Sequence, residues 1–181
     1  DLEKIVDTSD EWIIKRTGIS ERRILDEDMP LSHLASVAAK NAILDAGLEV
    51  SDIDLIIATT VTPDYLCPTL ACSVQKEIGA EKAAAFDLNA ACTGFIYALK
   101  AAEGLILSGA YNNVLIVSAE AMSRAVDFTD RKTCVLFGDG AGAAVISRVE
   151  DGTGIDKVNL GAVGQMGSVL TIPCLYITEE D

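Results

Sequence analysis

Cys92 stands where a strand-like run gives way to an apolar helix, in the stretch FDLNAACTGFIYALKAAEGLILSG at residues 86–109. A thiol at a helix N-terminus is chemically unlike a thiol in a packed core. The aligned peptide dipoles favour the thiolate, and the unpaired N–H groups at that end can stabilise an oxyanion. Ala90, Ala91 and Gly94 are small and leave room for a substrate to reach the sulfur. The helix that follows is apolar on nearly every side except at Lys100 and Glu103, which predicts a buried helix whose terminal field is poorly screened. Cys92 is therefore the candidate nucleophile, with an inert core cysteine as the competing reading. The other four cysteines lack this setting. Cys72 is predicted within a helix and Cys134 within a strand, and Cys67 and Cys174 lie beside prolines.

The five cysteines form no C-x-x-C pair, which argues against a disulfide framework or a zinc site and for a reducing compartment. His33 is the sole histidine; it sits in an amphipathic helix and reads as a surface residue, so no metal site is expected. The formal charge of −14 comes with no basic stripe and disfavours nucleic acid as a partner. No apolar run is long enough for a membrane span, and no secretory leader opens the chain. The positive charge that exists is clustered. Seven of the fourteen Lys and Arg residues are Lys15, Arg16, Arg22, Arg23, Arg124, Arg131 and Lys132, which read either as two solvated loops or as two walls of an anion site.

The elements that must position these groups follow from period and punctuation. Thr8 and Glu11 have the form of a capping box, starting a helical turn that carries Trp12 and Arg16 on one face. LSHLASVAAKNAILDAGL predicts a helix with Leu31, Leu34, Ala38, Ala42 and Ala46 on one side and Gly47 at its stop. DLIIATTV (54–61) predicts a buried strand, 69–78 a helix ending at Gly79, AAAFDL a strand, 93–108 a long helix, and NVLIVSAEA a third strand. This alternation indicates βαβ units and a mostly parallel sheet in one layered α/β unit. TCVLFGDGAGAAVISRV predicts two short antiparallel strands joined by glycines, and VNLGAVGQ and SVLTIP predict further short strands. The glycines at 138, 140 and 142 do not read as a dinucleotide fingerprint, because a strand-like run follows them rather than a helix.

DTSDEWIIKRTGISERRI, FDLNAACTGFIYAL, TDRKT and FGDGAGAAV, in this order and spacing, resemble the β-ketoacyl-acyl-carrier-protein synthase III family. The resemblance covers nearly the whole chain. It implies a thiolase-like fold, of which residues 1–181 form the N-terminal αβα half of a five-layered αβαβα core, with the family's first strand and its C-terminal half outside this sequence. It also implies decarboxylative condensation of an acyl-CoA primer with malonyl-acyl-carrier protein, initiating fatty-acid synthesis through an acyl-cysteine at Cys92. Thr8, Trp12, Arg16, Thr17 and Arg131 match the family's coenzyme A contacts, with adenine lying between the tryptophan and the arginine of TDR. The resemblance further implies a cytoplasmic homodimer joined edge to edge, no cofactor beyond the coenzyme A thioester that is substrate, and a catalytic His and Asn from the other half. Cys67 stands where relatives often carry a bulky residue at the mouth of the acyl pocket, and GAVGQMGS replaces a more polar segment. Two other readings compete: another Cys-dependent thiolase-superfamily enzyme, and a non-catalytic structural subunit. An intact motif around Cys92 argues against the latter.

Overall fold

The computed structural model of the chain describes residues 1–149 and 153–173. Among these, a four-stranded sheet runs in the order β2-β1-β3-β4, with β1 at Leu55–Thr59, β2 at Ala84–Asp87, β3 at Asn113–Ala121 and β4 at Asp139–Ser147. β1 is parallel to β2 and β3, and β4 is antiparallel to β3. The helices are α1 (Asp10–Thr17), α2 (Leu31–Asp45), α3 (Leu70–Ile78) and α4 (Gly94–Leu107).

Successive side chains on a strand face opposite ways, and here that alternation sorts the core into two. Ile56, Ala58, Leu115 and Val117 pack with Leu31, Ala39, Ile43, Leu70 and Val74 of α2 and α3. Leu55, Ile57, Val114 and Ile116 pack with Ala98, Ala102 and Ile106 of α4. The unit is thus an αβα sandwich, with α4 on the opposite side of the sheet from α2 and α3. β1 is buried along its whole length, which explains why it reads as an unbroken apolar run.

Two aspartates far away in sequence cap the helices of the first face. Asp64 accepts hydrogen bonds from the N–H groups of Leu31 (2.7 Å) and Ser32 (2.8 Å) at the start of α2, where Pro30 offers no capping side chain. Asp87, at the end of β2, accepts from Leu70 (2.9 Å) and Ala71 (2.8 Å) at the start of α3, whose last residue is followed by Gly79 at φ 80°.

Several expectations are corrected. The buried row of α2 is Leu31, Ala35, Ala39 and Ile43; Leu34, Ala38 and Ala42 form its half-buried flank, and Ala46 is exposed. The two rows are adjacent on the helix surface, and the sheet takes the one that ends on Ile43. α4 is not buried all round: Gly94, Ala98, Ala102 and Ile106 pack inward, whereas Ile96 and Leu107 are exposed. TCVLF is a turn, because Asp130 captures the chain locally. Its carboxylate accepts from Lys132 N (2.9 Å) and Thr133 Oγ1 (2.9 Å), and its carbonyl from Cys134 N (3.0 Å). Cys134 therefore lies in a turn, not a strand, and Gly140 and Gly142 lie within β4, which pairs with β3. The described parts of 158–173 contain no strand; Gly164–Val169 is a 3₁₀ turn. Cys174 lies outside the described residues.

Candidate active site

The head of α4 is where chain direction changes. Ala91–Thr93 form a 3₁₀ turn that runs into the helix at Gly94. Ala91, immediately before Cys92, has φ 46°. An L-residue in that region costs about 1–2 kcal/mol, and such strain persists only where the surroundings impose it. They do so at Gly94, where an added Cβ would sit 2.9 Å from Thr59 Cβ and 3.1 Å from Thr59 Oγ1. Glycine at 94 thus serves close approach of the helix to the end of β1. Thr59 is itself pinned, its hydroxyl 2.6 Å from that of Ser118 on β3. Just beyond, the Glu120 carboxylate accepts from Val61 N (2.9 Å), Thr62 Oγ1 (2.6 Å) and Thr60 Oγ1 (3.2 Å), fixing the chain as it leaves β1.

Cys92 is exposed at this corner. Among the described residues no side chain caps α4, and its first turn has no acidic residue, whereas Ser9 caps α1 and Thr69 with Asp87 caps α3. The N-terminal dipole of α4 is therefore unquenched by any carboxylate of its own first turn and acts on the region of the sulfur. Cys134 is the opposite case: it is 1% exposed, and burial, with the Asp130 carboxylate nearby, pushes its thiol pKa up. Cys67 and Cys72 are also exposed and flank the head of α3, but that head is capped by Thr69 and by the Asp87 carboxylate, which takes up its first N–H groups.

The second group of residues gathers on α1. The Arg16 guanidinium lies 5.3 Å and the Arg131 guanidinium 4.3 Å from the centre of the Trp12 ring. A cation over an indole face is attracted by the ring quadrupole. At 4.3 Å Arg131 occupies that face, so a planar ligand can enter only by displacing it. Thr17 acts locally, since its hydroxyl donates to Ile13 O (2.8 Å) and accepts from Ile19 N (3.0 Å), closing the end of α1. Thr8 is not the cap. Ser9 takes that place, accepting from Trp12 N at 3.1 Å, and the buried Thr8 hydroxyl has no hydrogen-bond partner among the described residues.

The two basic clusters do not form two walls. Arg22 Nε and Nη2 both donate to Val135 O (3.0 and 2.5 Å), Arg23 pairs with Glu21 (2.6 Å), and Arg124 donates to Met29 O. Only Arg16 and Arg131 converge on Trp12. A cavity of about 610 Å³ is lined by Leu2, Ile13, Arg22 and Phe137 among others, and one of about 630 Å³ by Met29, Tyr65 and Arg124 among others; neither is lined by Cys92, Trp12 or Arg131. His33 is bonded to Glu77 (2.7 Å) on the α2–α3 side of the sheet, away from α4. Among the described residues no group of three His, Cys, Asp or Glu side chains could hold a metal ion, and no helix is long and apolar enough to cross a membrane.

Thr59, Ser118 and Glu120, which hold the end of β1 against α4, carry no sequence signal, because a hydroxyl or carboxylate inside a strand pattern has no period of its own. Gly94 was visible only as a small neighbour.

A family model for 3-oxoacyl-[acyl-carrier-protein (ACP)] synthase III matches residues 86–164, the stretch that holds both Cys92 and Arg131. The chain is 54% identical over 173 residues to the β-ketoacyl-[acyl-carrier-protein] synthase III of Caldanaerobacter subterraneus subsp. tengcongensis, covering 96% of this chain and 52% of that protein. The chain belongs to the β-ketoacyl-[acyl-carrier-protein] synthase III family. The synthase III of Bacillus pumilus is 51% identical over all 181 residues, which are 56% of its length. The crystal structure of the Thermus thermophilus synthase III superposes with a TM-score of 0.92 at 45% identity, over 97% of this chain and 55% of that one. The chain thus spans about half the length of the curated synthase III relatives it matches. The thiolase-like α/β class is that of its structural neighbours.

Proposed function

We propose that this chain supplies the acylation half of a β-ketoacyl-acyl-carrier-protein synthase III reaction. Cys92 attacks the carbonyl of an acyl-CoA, coenzyme A leaves as its thiol, and the acyl group remains on sulfur. Malonyl-acyl-carrier protein then loses carbon dioxide, and the resulting carbanion attacks the acyl-cysteine, releasing β-ketoacyl-carrier protein and freeing the thiolate. The observation that carries this reading is the exposed Cys92 at the uncapped, strained head of α4, within the segment that matches the family.

Trp12 and Arg131 are proposed to take the adenine of coenzyme A, with Arg16 on its phosphates and Thr8 and Thr17 beside it. The Thr8 hydroxyl, buried and unpartnered among the described residues, is the one with free bonding capacity; that of Thr17 already donates its hydrogen to Ile13 O. The second half-reaction needs donors for the enolate charge. The chain has one histidine, held by Glu77 on the wrong side of the sheet, so its own residues support acylation and not turnover. The outer edge of β2, unpaired among the described residues and with Phe86 exposed, is proposed as the seam of a homodimer in the cytoplasm. Residues 1–181 form a single thiolase-like N-terminal unit in this reading.

Incubation with acetyl-CoA or a short branched acyl-CoA, followed by intact-mass measurement and peptide mapping, tests it. A gain of one acyl group on Cys92, absent from Cys92→Ser, is expected. Acylation that persists in Cys92→Ser overturns the nucleophile, and multi-turnover condensation by this chain alone overturns the division of labour.

A further inference from the structure

The segment from Ile19 to Leu25 leaves α1 and lies against the start of β4, attached there through both backbone and side chains. The Asp139 carboxylate accepts three hydrogen bonds from two directions: Leu25 N on Oδ2 (2.7 Å), Ser123 N on Oδ1 (2.7 Å) and Ser123 Oγ on Oδ2 (2.5 Å). The Asp139 N–H donates to Arg23 O at 2.8 Å. Arg22 grips Val135 O with two nitrogens. Between them, a Cβ on Gly138 would meet Arg22 Cβ at 3.1 Å and Arg23 O at 3.2 Å, so the two stretches lie backbone to backbone. One partner of this clasp continues α1, which carries Trp12 and Arg16, through the turn closed by Thr17. The other continues the 131–136 turn, which carries Arg131. None of the clasp residues stacks on the indole.

We propose that Asp139 and Arg22 are positioning residues, whose clasp between residues 19–25 and 135–139 sets the separation at which Trp12 and Arg131 face each other. The geometry makes Asp139 hard to replace. Its two oxygens both receive N–H donors, so an asparagine, whichever way its amide is turned, points an NH₂ at an N–H. Arg22→Lys keeps the charge and loses the fork that holds one carbonyl twice. The consequence for coenzyme A binding rests on the function proposed above; the consequence for the stack does not.

Trp12 is the sole tryptophan, so the tryptophan fluorescence of the chain reports this site alone. Arg131→Ala sets the signal of a lost stack. Asp139→Asn is expected to move the emission in the same direction and Arg22→Lys part of the way; both are expected to weaken coenzyme A binding by about 3- to 10-fold, because an adenine that has entered between the ring and Arg131 loses the guanidinium on its second face. Far-UV circular dichroism at the same temperature confirms that each variant is folded, and if Asp139→Asn is not, Arg22→Lys decides. A purely structural clasp lowers the melting temperature of folded variants and leaves their emission at the wild-type position; that result overturns the proposal, as does an Arg131→Ala variant with unchanged emission. Shifted emission in a chain that never binds coenzyme A keeps the clasp and removes the coenzyme A reading.

Discussion

At the head of α4 the chain is placed by its backbone: Gly94 lies against Thr59, Ala91 sits at φ 46°, and no side chain among the described residues caps the helix. Around Trp12 the placement is by side chains, through Ser9, Thr17, Arg22 and Asp139. The two regions should therefore fail differently. The first is sensitive to volume, because a methyl group has nowhere to go, and feels the hydrogen bonds of Thr59 and Glu120 only indirectly, through the end of β1. The second tolerates changes of volume on its exposed arginines and is sensitive to the loss of one acceptor.

The largest effect separates the regions outright: Cys92→Ser abolishes acyl transfer to the chain in the mass measurement while Trp12 emission stays at its wild-type position. Gly94→Val comes next. The forced contact with Thr59 costs about 1–3 kcal/mol, at about 2–4 °C of melting temperature per kcal/mol, and slows acylation of Cys92. A Gly94→Val variant with wild-type melting and acylation breaks the claim that backbone contact positions the thiol. Asp87→Ala serves as the control for both regions. It removes both acceptors from the head of α3, at a cost of about 0.5–2 kcal/mol, and so lowers the melting temperature, with acylation rate and Trp12 emission unchanged.

A smaller effect concerns the two kinds of cysteine. Iodoacetamide on the native chain should label Cys92 and leave Cys134 unmodified, as peptide mapping will show. Because burial holds the Cys134 thiol above its ordinary value of 9.0, folding binds its proton more tightly than the unfolded chain does. Its stabilisation is complete below that value and declines as pH rises through the folded value, so the alkaline fall in melting temperature should be shallower in Cys134→Ala. The smallest effect is Ala91→Gly. Relief of about 1–2 kcal/mol of strain is offset by about 0.4–1 kcal/mol of unfolded-state entropy, which leaves the melting temperature unchanged or slightly raised. A clear fall would show that the Ala91 methyl group makes contacts of its own.

Much of this was legible in the sequence, and the reasons are physical. β1 and β3 are continuous apolar runs because both of their faces are covered, and α3 is bracketed by Thr69 and Gly79, residues suited to its two ends. Cys92 stood out because the change from strand to helix is written in composition. Trp12 and Arg16 fell on one face because residues four apart on a helix must. The missed features depend on partners distant in sequence. Nothing local shows that Asp64 caps α2, that Arg22 is used on Val135, or that Asp139 rather than its flanking glycines matters in GDGAG. The strand expected at TCVLF failed because Asp130, just before it, bonds the following backbone more readily than a ladder could. The shift of the α1 cap from Thr8 to Ser9 is the same lesson on a one-residue scale, since either side chain could have served.

The guanidinium resting on the Trp12 ring has an implication for solution behaviour. A guanidinium is more weakly hydrated than an ammonium, so water alone does little to draw this lid off the ring. What opens it must compete for the indole, and the free energy of that exchange is deducted from whatever affinity the incoming ring brings.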